Sequence, residues 1–343
     1  MLGAASQCKH DRFILFIVKR KQIKSEKKWW DPQGRSRGNY RLPAVVETEH
    51  NEHYKKMKVV VTGKGGQLAS EFEALKGFDP KWTFLSEKDL DITNKSSVSS
   101  FFKSNTFDLV INCAAYTAVD KAEDEQELAF KVNAEGTKNL IEACEPTGTR
   151  LIHYSTDYVF DGSSKEPYTE LDTPNPNSVY GASKLKGEEY ILANQKVKSI
   201  ILRTSWVYSS YGNNFVKTMI RLGDERDELG VVADQIGSPT YAKDLAKDTL
   251  SILNNENYKW SQGDVFHYSN NGSCSWFEFA ITIFELTNIN IQLNQLKTED
   301  YPTKASRPKY SLLDKSKFEN TFKIQIRDWR TSLIDMLKQK LTI

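Results

Sequence analysis

Hydrophobic and polar positions alternate between two periods along most of the chain. Short apolar runs typical of buried strands occur in "KVVVTG", "KWTFLS", "FDLVINCAA", "TRLIHYSTD" and "KSIILRTSWVY". Between them, apolar residues recur at helical spacing in "GQLASEFEALKG", "KSSVSSFFKS", "DEQELAFKVNAEGTKNLIEAC" and "VYGASKLKGEEYILAN". From Met57 onward this alternation predicts an α/β fold, a Rossmann-like doubly wound parallel sheet with helices on both faces.

The pattern becomes looser after Trp206. Helical spacing returns in "NNFVKTMIRLGDER", "SPTYAKDLAKDTLSILNN", "SWFEFAITIFELT" and "DWRTSLIDMLKQKL", and "DVFHYSNNGS" predicts a strand and a turn. We therefore expect a Rossmann domain over residues 57–205, with parts of 230–256 as candidates to complete it. Residues 206–343 are expected to form mostly a smaller mixed α/β lobe.

Charge is unevenly spread over the 343 residues, whose formal net charge is +2. Residues 1–56 carry 13 lysines and arginines against 6 acidic residues, and the rest is mildly acidic. A basic run can bind nucleic acid or lipid. Because the organised pattern begins abruptly at Met57, we instead expect residues 1–56 to be a disordered or non-native N-terminal extension, with neither nucleic acid nor membrane as a partner.

Hydrophobicity and cysteine usage point to a cytoplasmic protein. No apolar run reaches the ~18 residues that cross a bilayer. The four cysteines are scattered without a CxxC pair, which indicates reduced thiols rather than a disulfide framework or a zinc site. We expect no metal among the catalytic groups. The lone histidines His153 and His267 are interpreted as structural.

A glycine pattern follows the first predicted strand and leads into the first helix. Gly63, Gly66 and Ala69 form GxxGxxA, in which Gly63 allows a tight turn and Gly66 lets the backbone approach a pyrophosphate. Free N–H groups and the helix dipole would then face the phosphates. The pattern predicts a dinucleotide site. The alternative is an ordinary glycine-bearing turn.

The identity of the dinucleotide depends on residues near the second strand. NAD enzymes usually carry an acid ~20 residues past the glycines, a distance that falls at Ser86, Glu87 and Lys88, with Ser86 where the strand should end. Lys64, inside the loop, could face a 2′-phosphate. These features favour NADPH, with NADH also accepted. A merely solvated Lys64 is the alternative.

Tyr180 and Lys184 lie four residues apart and share one helix face. A nearby ammonium favours the phenolate and would lower the phenol pKa from its usual ~10 toward neutrality. Thr156 and Asp157 follow the preceding strand at its carboxyl end, where a doubly wound sheet places its ligands. The spacing predicts proton transfer by Tyr180, with a surface ion pair as the alternative.

Together these stretches resemble the extended short-chain dehydrogenase/reductase superfamily, and within it the dTDP-4-dehydrorhamnose reductase family. The resemblance runs from Met57 nearly to the C-terminus. It rests on "GKGGQL", "LDIT", "DLVINCAAYTAVDKAE", "HYSTDYVFDG", "VYGASKLKGE", "RTSWVY", "GNNFVKTM", "DQIGSPT" and "ASRP". It implies that the Rossmann domain binds NAD(P) and that the second lobe binds substrate.

The resemblance also implies roles for individual residues. The catalytic set is Thr156, Tyr180 and Lys184. The cofactor contacts are Gly63, Lys64, Gly66, Gln67, Leu68, Asp91, Ile92, Ala115, Tyr116, Thr117, Tyr180 and Lys184. The substrate contacts are Thr156, Asp157, Trp206, Asn214 and Arg307. From the residues alone, Asp157 could form a turn, Trp206 could pack in the core, and Asn214 could cap a helix.

The activity implied by the resemblance is NADPH-dependent reduction of the C4 ketone of dTDP-4-dehydro-L-rhamnose to dTDP-L-rhamnose, for rhamnose-containing surface polysaccharide. Alternatives are another nucleotide-sugar epimerase or reductase of the superfamily, and a non-catalytic NADP-binding regulatory subunit. Some family members bridge subunits through Mg²⁺ held by glutamates. Glu71 matches one such position, which makes a magnesium-linked homodimer a further expectation.

Overall fold

A computed structural model describes residues 56–77 and 79–340, and the prediction for the N-terminal extension lies almost wholly outside them. The strands in chain order are β1 (Val59–Thr62), β2 (Trp82–Leu85), β3 (Leu109–Asn112), β4 (Arg150–Thr156), β5 (Ser199–Thr204), β6 (Val207–Tyr208), β7 (Glu228–Val232), β8 (Ile236–Gly237), β9 (Thr240–Tyr241), β10 (Asp264–Tyr268), β11 (Cys274–Ser275) and β12 (Gln292–Leu296). Six of them form one sheet in the order β10–β5–β4–β3–β1–β2. All pairings within this sheet are parallel, which confirms the predicted doubly wound α/β fold.

Helices cover both faces of the sheet. They are α1 (Gln67–Lys76), α2 (Lys95–Ser104), α3 (Val119–Ala122), α4 (Gln126–Phe130), α5 (Thr137–Cys144), α6 (Val179–Leu192), α7 (Phe215–Glu225), α8 (Ala242–Asn254), α9 (Trp276–Thr287), α10 (Ser316–Phe322) and α11 (Trp329–Lys340). Successive strand residues point to opposite faces. Val59 and Val61 therefore pack toward α1, α8 and α10, whereas Val60 packs toward α2, α5 and α6.

One predicted helix contains an irregular turn. The sequence predicts a continuous helix over "DEQELAFKVNAEGTKNLIEAC", and the structure has α4, then a π-helical segment at Lys131–Gly136, then α5. The π-helical segment packs against α6. At Gly187 of α6, an added Cβ would lie 2.4 Å from the Asn133 carbonyl oxygen, so the two helices meet almost backbone to backbone.

A second apolar core is built by α7, α9 and α11, with Phe279 and Trp329 among its fully buried side chains. Three two-stranded sheets accompany it: β11–β8, β12–β7 and β6–β9. The pairing of β7 with β12 is not expected from the sequence, because β12 reads "QLNQL" and is largely exposed.

The segment after Trp206 also contributes to the main sheet. Strand β10 pairs with β5 at its edge, and α8 packs against α1. The domain boundary between residues 205 and 206 stays a prediction. Within residues 56–77 and 79–340, no helix is both long and apolar enough to span a membrane.

Candidate active site

The glycine loop joins β1 to α1 at the carboxyl end of the sheet. Gly63 has a φ of +78°, and a Cβ at this position would lie 2.7 Å from the backbone nitrogen of Ala114. Gly65 has a φ of +89° with open space where a Cβ would project. Gly63 therefore permits the predicted tight turn. The left-handed backbone of Gly65 is a feature that the GxxGxxA reading missed, although the glycine itself was visible.

The N-terminus of α1 is left free to bind an anion. Gly66 is its N-cap, and no side chain accepts from the first backbone N–H groups. Asn94, Ser178, Asn214 and Ser275 cap their helices with side-chain oxygens, whereas α3, α4, α8 and α10 lack a side-chain cap as α1 does. Because the first-turn N–H groups of a helix lack intrahelical partners and carry its positive dipole end, they fit the diphosphate of a dinucleotide. Gln67 and Leu68 supply N–H groups of this turn.

Lys64 lies beside the end of β2, next to the positions at which an NAD enzyme usually carries an acid. Its backbone N–H donates to the Leu85 carbonyl at 3.0 Å. Its ammonium lies 3.3 Å from Glu73 of α1, and both side chains are nearly half exposed. Next to it, Ser86 donates to Asp89 at 2.6 Å. Lys64 is thus near the expected 2′-phosphate position but is already paired with a carboxylate.

Two of the predicted cofactor contacts, Asp91 and Ile92, follow the end of β2. Asp91 is exposed and accepts hydrogen bonds from the backbone and hydroxyl of Thr93, at 2.9 and 2.7 Å. Ile92 is buried and its carbonyl accepts from Asn139 at 2.9 Å. Ile92 also lies against Gly136, where its side chain would collide with an added Cβ. Ile92 therefore has a packing role besides any cofactor contact.

Ala115, Tyr116 and Thr117 follow β3 at the same edge of the sheet. Tyr116 exchanges two hydrogen bonds with Asn133, its N–H donating at 2.9 Å and its carbonyl accepting at 3.1 Å. Asn133 also donates to Ser183 of α6 at 2.9 Å. Asn133, which the sequence analysis missed, thereby connects this loop to the helix of Tyr180. The available signal was a polar residue in the apolar stripe of the predicted helix, four residues after Ala129 and seven before Leu140.

The structure brings Thr156 and Tyr180 together. Thr156 ends β4, and Tyr180 lies in the first turn of α6, whose N-terminus is capped by Ser178 and by Glu123. Burial raises the pKa of Tyr180 to about 12, although a hydrogen bond with Thr156 acts in the opposite direction. The expectation of a lowered phenol pKa is therefore wrong in this structure.

The reason lies in what the Lys184 ammonium contacts. Lys184 is buried, and its Nζ donates to the Tyr154 carbonyl at 2.6 Å and lies 3.3 Å from His153 Nε2. The ammonium is therefore held by the backbone of β4 in the interior, and the pKa of Tyr180 is raised by burial and by Asp157, against the hydrogen bond with Thr156. Burial lowers the pKa of Lys184 itself to about 8, with Glu188 acting in the opposite direction.

Asp157 is a buried carboxylate beside this pair. One carboxylate oxygen accepts from Thr156 at 3.0 Å, and Oδ2 is buried without a hydrogen bond of normal geometry within the described part of the chain. Burial raises the pKa of Asp157 to about 6, while the nearby Ser311 and Thr156 hydroxyls act in the opposite direction. Asp157 is therefore more than a turn former, and its free oxygen is consistent with a substrate contact.

Trp206 has a left-handed backbone, with a φ of +49°. Its ring stacks on Trp276, with centroids 3.5 Å apart and an interplanar angle of 9°. Trp206 also lies against Gly237, where an added Cβ would be 2.7 Å from the indole. Backbone strain of this kind is concentrated at functional sites. The ring is partly exposed, so both packing and substrate contact are compatible with its position.

Asn214 caps α7 by accepting from the Lys217 N–H at 3.1 Å. Its amide donates to Ser209 at 2.7 Å and to the Gln67 side chain at 3.0 Å. Asn214 therefore caps α7 through its side-chain oxygen, as one of the two sequence interpretations expected. Its amide nitrogen connects α7 to Gln67, the first residue of α1.

Arg307 forms a two-pronged ion pair with Asp120, at 3.0 and 2.6 Å. This pair raises the pKa of Arg307, and the neighbouring Lys304 contacts Asp124. The loop of residues 303–307 is thereby held to α3 and the residues after it. Asp120 is a second residue that the sequence analysis missed, because it lies 187 positions from its partner.

Glu71, the candidate magnesium ligand, faces the interior. It is 2% exposed and accepts from Ser209 at 2.6 Å, and burial raises its pKa. Within residues 56–77 and 79–340, no group of three or more His, Cys, Asp or Glu side chains is arranged to hold a metal ion. This geometry does not support a magnesium bridge through Glu71.

Comparison with known proteins agrees with this geometry. The family model described as RmlD substrate binding domain matches residues 57–342. A dTDP-4-dehydrorhamnose reductase of Sinorhizobium fredii is 44% identical over 283 residues, covering 80% of this chain and 95% of the relative. A crystal structure of a dTDP-4-dehydrorhamnose reductase from Clostridium acetobutylicum is 45% identical with a TM-score of 0.78, covering 84% of this chain and 100% of that one.

A third relative was solved with a nucleotide. The dTDP-4-dehydrorhamnose reductase of Bacillus anthracis, in complex with NADP, is 41% identical with a TM-score of 0.76, covering 83% of this chain and 99% of that chain. The match extends over nearly the full length of each relative and includes both the glycine loop and the Tyr180 helix. The chain therefore belongs to the dTDP-4-dehydrorhamnose reductase family.

Proposed function

We propose that this protein reduces the C4 ketone of dTDP-4-dehydro-L-rhamnose to dTDP-L-rhamnose with NADPH. The observation that carries the proposal is the placement of Thr156, Tyr180 and Lys184 at the carboxyl edge of the sheet that also carries the glycine loop. Membership of the reductase family supports the substrate, and the NADP-bound relative supports the cofactor.

The cofactor would be held by the free N-terminus of α1. The first-turn N–H groups of Gln67 and Leu68 would take the diphosphate, and Lys64 would take the 2′-phosphate by exchanging its pairing with Glu73. NADPH, when bound, supplies the hydride. NADH lacks the 2′-phosphate and would be accepted less well.

Tyr180 would supply the proton to the ketone oxygen. Reduction needs a protonated phenol, and a pKa of about 12 keeps Tyr180 protonated at neutral pH. Thr156 would turn its hydroxyl from Asp157 to donate a second hydrogen bond to the same oxygen, which stabilises the charge that develops there. The free oxygen of Asp157 would accept from a sugar hydroxyl.

The test compares the loss of the Tyr180 hydroxyl with the loss of the Tyr190 hydroxyl on the same helix. We expect Tyr180→Phe to keep the fold and NADPH binding and to lose ~10²–10⁴-fold in turnover, the usual contribution of a positioned acid. Tyr190→Phe is the matched control: it lies on the same helix, and its hydroxyl donates to Glu135 at 3.1 Å, away from the site. Turnover of Tyr180→Phe within a few-fold of the control would refute the assignment.

The reaction class is tested by following NADPH absorbance with the dTDP-4-keto sugar. Loss of one NADPH per sugar supports reduction, whereas no net consumption would indicate an epimerase or a non-catalytic subunit. A role in rhamnose-containing surface polysaccharide follows from the product. Homodimerisation and a cytoplasmic location stay predictions from the sequence.

A further inference from the structure

A row of polar side chains crosses the sheet where apolar residues would be expected. Thr62, Asn112 and His153 are direct register partners on β1, β3 and β4. All three are at most 2% exposed. The layer on this side of the sheet is otherwise formed by residues such as Leu151 and Ile201. Buried polar groups are costly unless each has a partner, so a row of this kind has a specific arrangement of donors and acceptors.

The row is continuous from the glycine loop to the lysine of the site. The Thr62 hydroxyl donates to Asn112 Oδ1 at 2.7 Å. Asn112 Nδ2 lies 3.0 Å from His153 Nδ1, and His153 Nε2 lies 3.3 Å from Lys184 Nζ. Thr62 directly precedes Gly63. Three side chains thus connect the base of the cofactor loop to Lys184.

The donors fix the orientation of the asparagine and the tautomer of the histidine. Asn112 Oδ1 receives the Thr62 hydroxyl and also the backbone N–H of Ala114, at 3.2 Å. Its amide nitrogen must therefore face His153. An amide nitrogen only donates, so Nδ1 of the neutral ring accepts and the ring proton is on Nε2. Burial keeps this ring neutral by lowering the pKa of His153 well below its usual range.

This tautomer has a consequence for Lys184. The Nε2–H of His153 points at Nζ, and an ammonium has no lone pair to accept it. The neutral amine satisfies both contacts, since its lone pair accepts from His153 and one N–H donates to Tyr154. Other titratable groups facing Lys184 are Cys113, after β3, and Glu188, one turn later on α6.

We propose that His153 is a positioning residue for Lys184, holding its amine by donating from Nε2 and tying it through Asn112 and Thr62 to the glycine loop. The inference rests on the proposed function, in which Lys184 serves Tyr180 and the cofactor. His153, which the sequence pattern indicates as structural, thereby has a specific role at the site.

The first experiment needs no substitution. The chain has five histidines, so ¹⁵N-histidine spectra of the full-length protein can be assigned with single His→Gln variants. We expect the ring of His153 to show a protonated Nε2 and an unprotonated Nδ1 at pH 9–10, where the Lys184 amine is mainly neutral. A protonated Nδ1 would overturn the proposal, because the donor to Lys184 would then be absent.

The second experiment titrates Lys184 by ¹³C NMR of ε-labelled lysine, with Lys184→Met identifying the signal. In the unchanged protein we expect a midpoint at about pH 8. In His153→Phe, which keeps the ring volume and removes the donor, the midpoint should rise by about one unit, the equivalent of one hydrogen bond.

The matched control is His267→Phe. His267 is also fully buried in the same sheet, but it contacts Arg203 and the Tyr168 carbonyl rather than Lys184. An equal midpoint shift in both variants, or no shift in His153→Phe, would refute the proposal. If His153→Phe does not fold, His153→Leu, which also removes the donor, replaces it with the same expected direction. Neither readout uses turnover, so failure here is distinct from failure of the proposed reaction.

Discussion

Helix α6, which carries Tyr180 and Lys184, is anchored to the sheet by a buried ion pair. Glu188 lies one turn after Lys184 and is fully buried, and its partner Arg203 on β5 is 4% exposed as a side chain. Arg203 Nε lies 3.0 and 3.1 Å from the two carboxylate oxygens, and Nη2 lies 2.6 Å from Oε2. Glu188→Gln keeps the shape of this contact and removes the negative charge.

The expected cost follows from the burial of the arginine. Removing one partner of a buried pair leaves an uncompensated charge and typically costs ~3–5 kcal/mol. Because glutamine retains one oxygen that accepts from Arg203, we expect the lower end, ~3 kcal/mol. Equilibrium urea unfolding followed by tryptophan fluorescence would measure the change. The control is Glu225→Gln, whose partner Arg221 is 60% exposed on α7; it should cost no more than ~0.5 kcal/mol.

Two outcomes would refute this reasoning. One is a loss of stability for Glu188→Gln no larger than that of Glu225→Gln. The other is a double variant, Glu188→Leu with Arg203→Met, that is no more stable than Glu188→Gln, since replacing both charges by apolar groups should recover most of the loss. A large loss in the single variant and recovery in the double would confirm that the charge, rather than the volume, anchors the helix.

Further predictions concern the glycine loop, the buried carboxylate of Asp157 and the contact between Asn214 and Gln67. Gly63→Ala should weaken NADPH binding, measured by fluorescence titration. It should also destabilise the fold by more than Gly77→Ala, because both glycines have positive φ but only Gly63 lies against the backbone of a neighbouring strand end. Burial raises the pKa of Asp157 from 3.8 to about 6 in the folded state. The free energy of unfolding of the wild type should therefore fall as pH rises from 3.8 to about 6, and Asp157→Asn should lose that slope in urea unfolding at stepped pH. Asn214→Ala should cost ~1 kcal/mol as a lost cap and raise the KM for NADPH through Gln67, whereas an unchanged KM would limit Asn214 to capping.

Much of the central sheet could be predicted because its strands are buried on both faces. The apolar runs around Val60, Val110 and Ile152 have no other stable environment, and "KSSVSSFFKS" matches α2 residue for residue. Strand β12 could not be predicted in the same way. Its side chains are mainly polar and exposed, and its position depends on backbone pairing with β7, which leaves no apolar pattern.

At the site, the residue types could be predicted but their partners could not. The motifs identified Tyr180, Lys184 and Arg307, yet the expected electrostatics of the phenol were wrong because the ammonium donates to Tyr154. Which carboxylate Arg307 meets depends on how residues 187 positions apart are brought together. Such pairings are set by the tertiary packing and not by local spacing.

The π-helical segment at Lys131–Gly136 bears on how this chain can change in length. An α-helix turns by ~100° per residue, whereas a π-helical turn takes up one extra residue by widening locally, so α4 and α5 keep their direction across it. Deleting one residue here would relax the segment to regular α-helix and leave α5 beside α6, but Asn133 would lose its hydrogen bonds with Tyr116 and Ser183. In homologues and engineered variants we therefore expect a one-residue deletion in this stretch to spare the fold and disturb the site, whereas the same deletion within α5 would rotate the buried positions of that helix away from the sheet.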